Sequence, residues 1–453
     1  MSHGERLARW AAAARWEDLE TSLQAKVKAH VLDTLGVMCA GLDTPHTGAA
    51  QSAARAWGGA GASTVVGRGW RLPAPSAAFC NAFAARAHTF DDTYELGPVH
   101  PGSAVVSAAL AAAEAAGASG AALLAGVAAG YEVATRVSAA VSPSHYEWGF
   151  HNTGTCNTFG ACAAAGRILG FDGAAMADAL GLAGGGAAGL RQYQVDGSMA
   201  DTSLDGARAA QTGVIAADLR AHGLAGPHAI LDGRWGFCRV MAPHADLDRL
   251  DAGLGGAYEF AATALKPFPT CRFTHGPAEV LLRLRAEARI DGPAVEAVTI
   301  ATFKQSIEVA DKPTVRSRFD AILSHQWTAA LALGRGRVGL TDLDAASLAD
   351  PALQALAARV RVVPDESLEG YPGRWPHRVT VVLRDGRRLA ARSDYPPGGA
   401  DHPLSPDAVE AKFRSLAAPV LGAAGAERLL ASVFELDTVP DVRSLAPLLG
   451  PAR

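Results

Sequence analysis

The groups best suited to chemistry fall in three short stretches. Asp91-Asp92-Thr93, followed by His100-Pro101-Gly102, sets two adjacent carboxylates, a hydroxyl and an imidazole in a loop between two apolar helical stretches. Loops held by rigid helices are where reacting groups gather, and an imidazole titrates near neutral pH, so this set suits proton transfer. The same letters also suit plainer work, with Asp91 or Asp92 capping the next helix and His100 a solvated turn residue. Tyr146-Glu147-Trp148-Gly149-Phe150-His151-Asn152-Thr153-Gly154 combines a phenol, an imidazole and amides just before a helix expected over residues 156–169. Such donors can hold a carboxylate at the helix N-terminus, where backbone N–H groups point outward. The alternative is a helix cap with His151 satisfied in the core. Lys266-Pro267-Phe268-Pro269-Thr270-Cys271-Arg272-Phe273-Thr274-His275 fixes a lysine among prolines and aromatics at an expected domain boundary, where clefts form. Partial desolvation would lower its pKa and suit it to proton transfer. Its bland counterpart is a surface lysine on a rigid linker.

Other signals lead away from chemistry. Gly184-Gly185-Gly186-Ala187-Ala188-Gly189 has the letters of a dinucleotide loop, yet Ala174 to Leu182 ahead of it reads as helix rather than strand, so close helix packing is the better account. No Walker A sequence and no His-Glu-x-x-His occurs. A metal held by Asp91, Asp92 and His100 stays open, but the expected metal content is none. The six cysteines (Cys39, Cys80, Cys156, Cys162, Cys238 and Cys271) contain no Cys-x-x-Cys pair and read as reduced, mostly buried thiols.

The elements that must position these groups follow from composition and periodicity. The chain has 453 residues, 49% hydrophobic and 19% charged, which suits two domains with sizeable cores. Forty-one basic against 45 acidic residues, with no basic run interleaved with aromatics, exclude the footprint of a nucleic-acid binder. The amino terminus lacks a signal-peptide core, and residues 104–130 are interrupted by Ser107, Glu114 and Ser119 before they reach the roughly 20 residues of a membrane span. A cytoplasmic location and no membrane partner are expected.

Leu23, Val27, Val31 and Leu35 recur along one helical face, with Ser22 or Thr21 as the expected N-cap. Residues 104–140 and 158–190 are rich in Ala, Leu and Gly, as in helices packed too closely for large side chains. No convincing strand appears before Lys266. Beyond it, residues 295–300 and 378–383 alternate with β-branched residues, and Asp385-Gly386 predicts a hairpin. Ser405 and Pro406 then open a helix over residues 405–433. The fold class is mainly α: a helical domain over 1–265, a smaller α+β domain over 266–400, and a helical tail over 401–453 expected to pack back on the first.

Taken in order, several segments resemble the MmgE/PrpD family, which includes 2-methylcitrate dehydratase, cis-aconitate decarboxylase and iminodisuccinate epimerase. They are Leu32-Asp33-Thr34-Leu35-Gly36, Phe90-Asp91-Asp92-Thr93 with His100-Pro101, Gly149-Phe150-His151, Lys266-Pro267-Phe268-Pro269, Tyr371-Pro372-Gly373 and Asp394-Tyr395-Pro396. The resemblance covers most of the chain. It implies a helical domain built from both chain ends, a smaller α+β lid, an active site in the cleft between them, a homodimer, and cofactor-free chemistry on small polycarboxylates. Carried over, the family's site includes Thr93, His100, His151 and Lys266. Three positions depart from the pattern: Thr89 stands for an Asp, Thr202 for the Lys of a Lys-x-Leu-His segment (here Thr202-Ser203-Leu204-Asp205), and Gln326 for a tyrosine. Arg191, Arg208 and Arg272 are candidate substitute cations, since a guanidinium grips carboxylates bidentately.

The expected activity is a lyase of the dehydratase type, acting on a small carboxylic acid. A base takes a proton next to a carboxylate, and an acid assists departure of hydroxide from the neighbouring carbon. Lys266 is the candidate base or charge stabiliser, and His151 or His100 the acid, with Tyr146 as a further acid. Asp92, Thr93, Arg272 and Gln326 are candidates for substrate binding. If Tyr146 and Lys266 face opposite sides of one carbon, the reaction becomes epimerisation; decarboxylation and a binding-only protein are the remaining alternatives.

Overall fold

The computed structural model of the chain describes residues 1–452, the side chain of Asp201 apart. The chain divides into two compact units, one made of Met1–Ala87, Asp91–Leu265 and Ser405–Arg453, the other of His88–Phe90 and Lys266–Leu404. Among the described residues no helix is long and apolar enough to cross a membrane.

The first unit is helical, and its centre is set by small residues. Helices Gly120–Val141 and Asn152–Ile168 meet where a Cβ on Gly130 would lie 2.7 Å from the Gly160 carbonyl oxygen, and one on Gly160 would lie 2.6 Å from that of Gly130. Backbone thus lies against backbone, and any side chain at either glycine would push the helices apart. Helix Pro101–Ala116 packs on both of them, and Met199–Ala221 packs on Asn152–Ile168. Gly184 follows this logic too: it ends helix Gly173–Gly184, and a Cβ there would meet Ile230 at 2.2 Å. The glycine-rich run is a packing device.

Three details differ from expectation. Helix Thr21–Ala40 has Glu20 as its N-cap, without a side-chain cap bond, in place of Ser22 or Thr21; its stripe is inward-facing, with Val27, Val31 and Leu35 buried. Strands do occur in this unit: Ser63–Val65 pairs antiparallel with Trp70–Leu72, and Thr93–Tyr94 with Thr263–Ala264. Ladders of two or three residues are too short to show an alternating pattern. The run over 405–433 breaks at Gly422, whose φ of 71° ends helix Pro406–Leu421 before Ala423–Phe434 begins; Ser405 caps the first, its Oγ accepting from Ala408 N at 3.2 Å. Helix Pro406–Leu421 packs on Thr21–Ala40, where Lys412 Nζ lies 2.6 Å from Asp33 Oδ1. Burial pushes the Asp33 carboxyl up to about 6, against the pull of that ammonium.

The second unit is built on a four-stranded sheet in the order Val360–Pro364, Val295–Thr302, His377–Leu383, Arg388–Ser393. The first pair is parallel, joined by a long helical crossover, and the other two are antiparallel. Asp385-Gly386 makes the expected hairpin turn, with Gly386 at φ 88°. Val379, Val381 and Leu383 turn one face inward, and helices His275–Ala288 and His325–Arg335 belong to the same unit. A separate aromatic cluster gathers Phe273, Phe303 and Trp375, with Tyr371 against it.

Candidate active site

The site of the helical unit is assembled around two adjacent carboxylates that point to different partners. Asp91 Oδ1 accepts from Arg86 Nη1 at 2.6 Å, both side chains being buried. Asp92 accepts from His30 Nδ1 at 2.8 Å, from the Tyr131 hydroxyl at 2.6 Å and from Gly102 N at 2.9 Å. Gly102 lies in the first turn of helix Pro101–Ala116, so Asp92 caps that helix as it holds His30. Burial pushes Asp92 up, but these three donors outweigh it and hold the carboxyl below its ordinary value. The group expected to bind substrate is therefore an anion engaged by the protein itself, and its part is to position its neighbours. Thr93 begins the short strand paired with Thr263–Ala264 and is buried.

His100 and His151 occupy equivalent places in the fold. His100 is the N-cap residue of Pro101–Ala116 and His151 that of Asn152–Ile168, neither making a side-chain cap bond. The two helix starts are tied together: His100 N donates to Thr153 Oγ1 at 3.3 Å, and Asn157 Nδ2 donates to the His100 carbonyl at 2.7 Å. The His100 ring donates from Nδ1 to the Asp92 carbonyl oxygen at 2.6 Å. The His151 ring donates from Nδ1 to Asp205 Oδ2 at 2.8 Å. Each acceptor fixes the tautomer, so proton exchange at both rings runs through Nε2. His151 is buried, and that burial lowers its pKa, opposed by Asp205. The arrangement offers two imidazoles of fixed tautomer beside two helix N-termini, where developing negative charge is favoured.

Tyr146 lies in the short helix Ser144–Glu147. The Arg191 guanidinium stacks 3.5 Å over its ring and donates to its carbonyl, and Gln194 Nε2 donates to its hydroxyl at 2.9 Å. Arg191 also donates twice to Gln194, which makes it a brace for Tyr146. Arg208, a second candidate cation, is exposed on Met199–Ala221. Thr202, at the family's lysine position, turns its hydroxyl back to the Met199 carbonyl at 2.6 Å.

The remaining candidates belong to the second unit. Lys266 is buried, and its Nζ donates to the Thr89 carbonyl at 2.7 Å. Thr89 itself stands at φ 54°, a left-handed conformation that a threonine rarely adopts. A buried lysine anchored on a carbonyl is not the surface linker residue of the plainer reading. Arg272 donates to the Pro396 carbonyl at 3.1 Å and to that of Pro397, and it faces His275 Nδ1 at 3.3 Å. Gln326 donates to Asp311 Oδ1 at 2.5 Å and receives Ser324 Oγ at 3.3 Å. Both candidates for substrate binding thus have internal structural contacts.

Among the described residues no group of three or more His, Cys, Asp and Glu side chains is arranged to hold a metal ion. The six cysteines are free thiols, five of them buried. Sequence reasoning missed Arg86, His30 and Tyr131, and took Asp205 only as part of a departing segment. Arg86 lies five residues before Asp91, a separation that gave no periodic signal; His30 and Tyr131 reach Asp92 from distant helices.

The chain belongs to the MmgE/PrpD family: the N-terminal domain model of that family matches residues 5–250 and the C-terminal domain model matches residues 268–437. Similar proteins are cis-aconitate decarboxylases. That of Mus musculus is 28% identical over 444 residues, covering 94% of this chain and 89% of the relative. That of Homo sapiens is 28% identical over 438 residues, covering 94% and 90%. The cis-aconitate decarboxylase-like protein oryM of Aspergillus oryzae is 23% identical over 470 residues, covering 98% and 96%.

Proposed function

We propose that this chain is a cofactor-independent lyase that acts on a small polycarboxylate by proton transfer at carbon next to a carboxylate. The observation that carries the reading is the pair of buried helix N-termini bearing His100 and His151, each ring held through Nδ1, His151 by a carboxylate. In the dehydratase form, a base takes the proton, the C–H electrons delocalise into the adjacent carboxylate, and the C–O bond breaks as an imidazolium gives its proton to the departing hydroxide. His151, with Asp205 behind it, suits the group that changes charge. His100 suits its counterpart, and Lys266 is proposed as base or charge stabiliser in its own right.

A second reading, decarboxylation of a cis-aconitate-like acid, is favoured by the relatives named above. There a C–C bond breaks, carbon dioxide leaves, and the electron pair left on carbon takes a proton from the imidazolium. The two readings share the same acid.

Proton NMR in deuterium oxide, with citrate, 2-methylcitrate, cis-aconitate and amino-dicarboxylates each incubated with purified protein, tests them. A new vinylic signal from citrate or 2-methylcitrate is the dehydratase outcome. A deuterated product with one carboxylate fewer from cis-aconitate is the decarboxylase outcome. Loss of an α-proton signal on an intact skeleton would replace both with epimerisation, and no change across the panel would sink the lyase reading.

A further inference from the structure

The helical unit holds a concave site that shares no residue with the imidazole site. Its volume is about 1000 Å³, within the range of small-molecule pockets. One wall is the hairpin Ser63–Val65/Trp70–Leu72, the second is the junction of helices Pro406–Leu421 and Ala423–Phe434, and the third is the chain's final segment, through Ala452. The hairpin tip is tied to that segment by Gly67 N donating to the Leu449 carbonyl at 2.7 Å, and Ala452 N donates to the Val420 carbonyl at 3.0 Å.

Arg71 and Arg428 line this cavity, and among the described residues no lining side chain is acidic. Among the described residues neither guanidinium has a hydrogen-bonding or ion-pair partner, whereas most arginines of the molecule are paired with a carboxylate or a carbonyl. Two further cations lie near the Trp70 ring, Arg55 at 4.3 Å and Arg68 at 5.8 Å from its centre, and Arg68 donates to Gln51 Oε1 and to the Leu42 carbonyl. Glu114, behind the hairpin, is buried and accepts from Thr64 N and from Thr64 Oγ1 at 2.6 Å each, and the Arg71 charge favours its carboxylate form. Arg71 and Arg428 thus bring two exposed guanidiniums to one concavity, with the Glu114 carboxylate behind the hairpin as the anion that Arg71 acts on, and two such guanidiniums suit a ligand that carries more than one anionic group.

We propose that this cavity is a binding site for a small polyanion, a molecule carrying two or more phosphate or carboxylate groups that bridge Arg71 and Arg428. Titration calorimetry of the full chain with inorganic pyrophosphate, and separately with citrate, tests it against the double variant Arg71→Ala/Arg428→Ala. Both residues are exposed, so the variant is expected to fold with an unchanged melting temperature, and the single variants Arg71→Gln and Arg428→Gln serve if it does not. The expected result is a saturable site whose Kd weakens about tenfold or more in the variant, and weakens as salt is raised. Loss of the pyrophosphate site assigns a phosphorylated ligand; loss of a citrate site assigns a polycarboxylate. Equal affinities in the parent and variant proteins, or no saturation by about 10 mM of either probe, a concentration well beyond useful affinity, overturn the proposal.

Discussion

Buried histidines in the two units face opposite kinds of partner. In the helical unit His30 meets Asp92 and His151 meets Asp205, each at 2.8 Å. In the second unit His325 Nε2 meets Ser306 Oγ at 2.8 Å, Ser306 reaches His377 Nε2 at 3.4 Å, and His377 Nδ1 donates to the Trp375 carbonyl at 2.8 Å. Burial lowers the pKa of all four rings, but only the first two have a carboxylate that pulls the other way. His377 is lowered to about 4, and His325 falls well below its ordinary value with His377 as a further cause. The lesson concerns the partner and not the unit, because His145 of the helical unit, bonded to the Met241 carbonyl and Thr155, is also lowered to about 4. A fully buried imidazole backed by an anion can take up and release a proton, and a fully buried one backed only by hydroxyls and carbonyls stays neutral and serves the fold; His100, on the Asp92 carbonyl, differs from the latter in keeping part of its ring exposed.

The strongest way to break this comparison is to remove the ring assigned to proton transfer. His151→Gln is expected to lower kcat by about 10³-fold, within the range of general acid–base catalysis, with KM little changed. A rate within a few-fold of the parent would move His151 to the structural class. Lys266→Ala comes next, at about 10²-fold in kcat if the ammonium takes part in proton transfer or charge stabilisation. An unchanged turnover number would make its bond to the Thr89 carbonyl a purely structural contact.

Asp205→Asn sharpens the comparison by keeping the ring and removing the charge behind it. The expected loss in kcat is about tenfold, typical of an outer partner that fixes a catalytic histidine. Asp205 raises the His151 pKa against burial, so without it the pKa falls further. If His151 must be neutral for a step, the acidic limb of the kcat/KM profile therefore moves to lower pH; if it must be protonated, activity at neutral pH is lost and returns only as the pH falls. A profile that keeps its shape would show that Asp205 only packs.

How much of this was legible in sequence depends on whether a signal is local. Ser405 as a cap, the Asp385-Gly386 turn and the alternating runs 295–300 and 378–383 are local patterns; the cap and turn stand where their letters put them, and the runs lie within strands Val295–Thr302 and His377–Leu383. The tightly packed alanine and glycine helices were legible too, because composition alone limits the space between them. What was not legible is pairing across distance. Asp92 was singled out for its neighbour Asp91, yet its partners are His30, Tyr131 and Gly102, and only the first turn of the following helix is near it in sequence. Gln326 and Arg272 carried the right chemistry for a ligand, but Asp311 and the Pro396 and Pro397 carbonyls reach them first. Asp205 enters the sequence reading only as the last residue of the segment Thr202-Ser203-Leu204-Asp205, while in the fold it stands behind His151.

The smallest expected effect lies in the second unit, and it tests the other half of the comparison. His377 Nδ1 must carry its proton to meet the Trp375 carbonyl, so in the neutral ring Nε2 is an acceptor. The Ser306 hydroxyl can then donate to His377 Nε2 and accept at its oxygen from His325 Nε2–H, which leaves only the lone pair on His325 Nδ1 without a partner. Every ring N–H and hydroxyl O–H of the His325–Ser306–His377 series is thereby satisfied without any charge. Ser306→Ala leaves the His325 N–H buried and unmet, which costs about 1–3 kcal/mol in unfolding free energy by chemical denaturation. Because these rings never change charge in the working pH range, kcat and its pH profile are expected to stay as in the parent. A Ser306→Ala protein of full stability but altered pH profile would show that a hydroxyl-backed histidine also cycles, and the distinction between the two kinds of buried ring would fail.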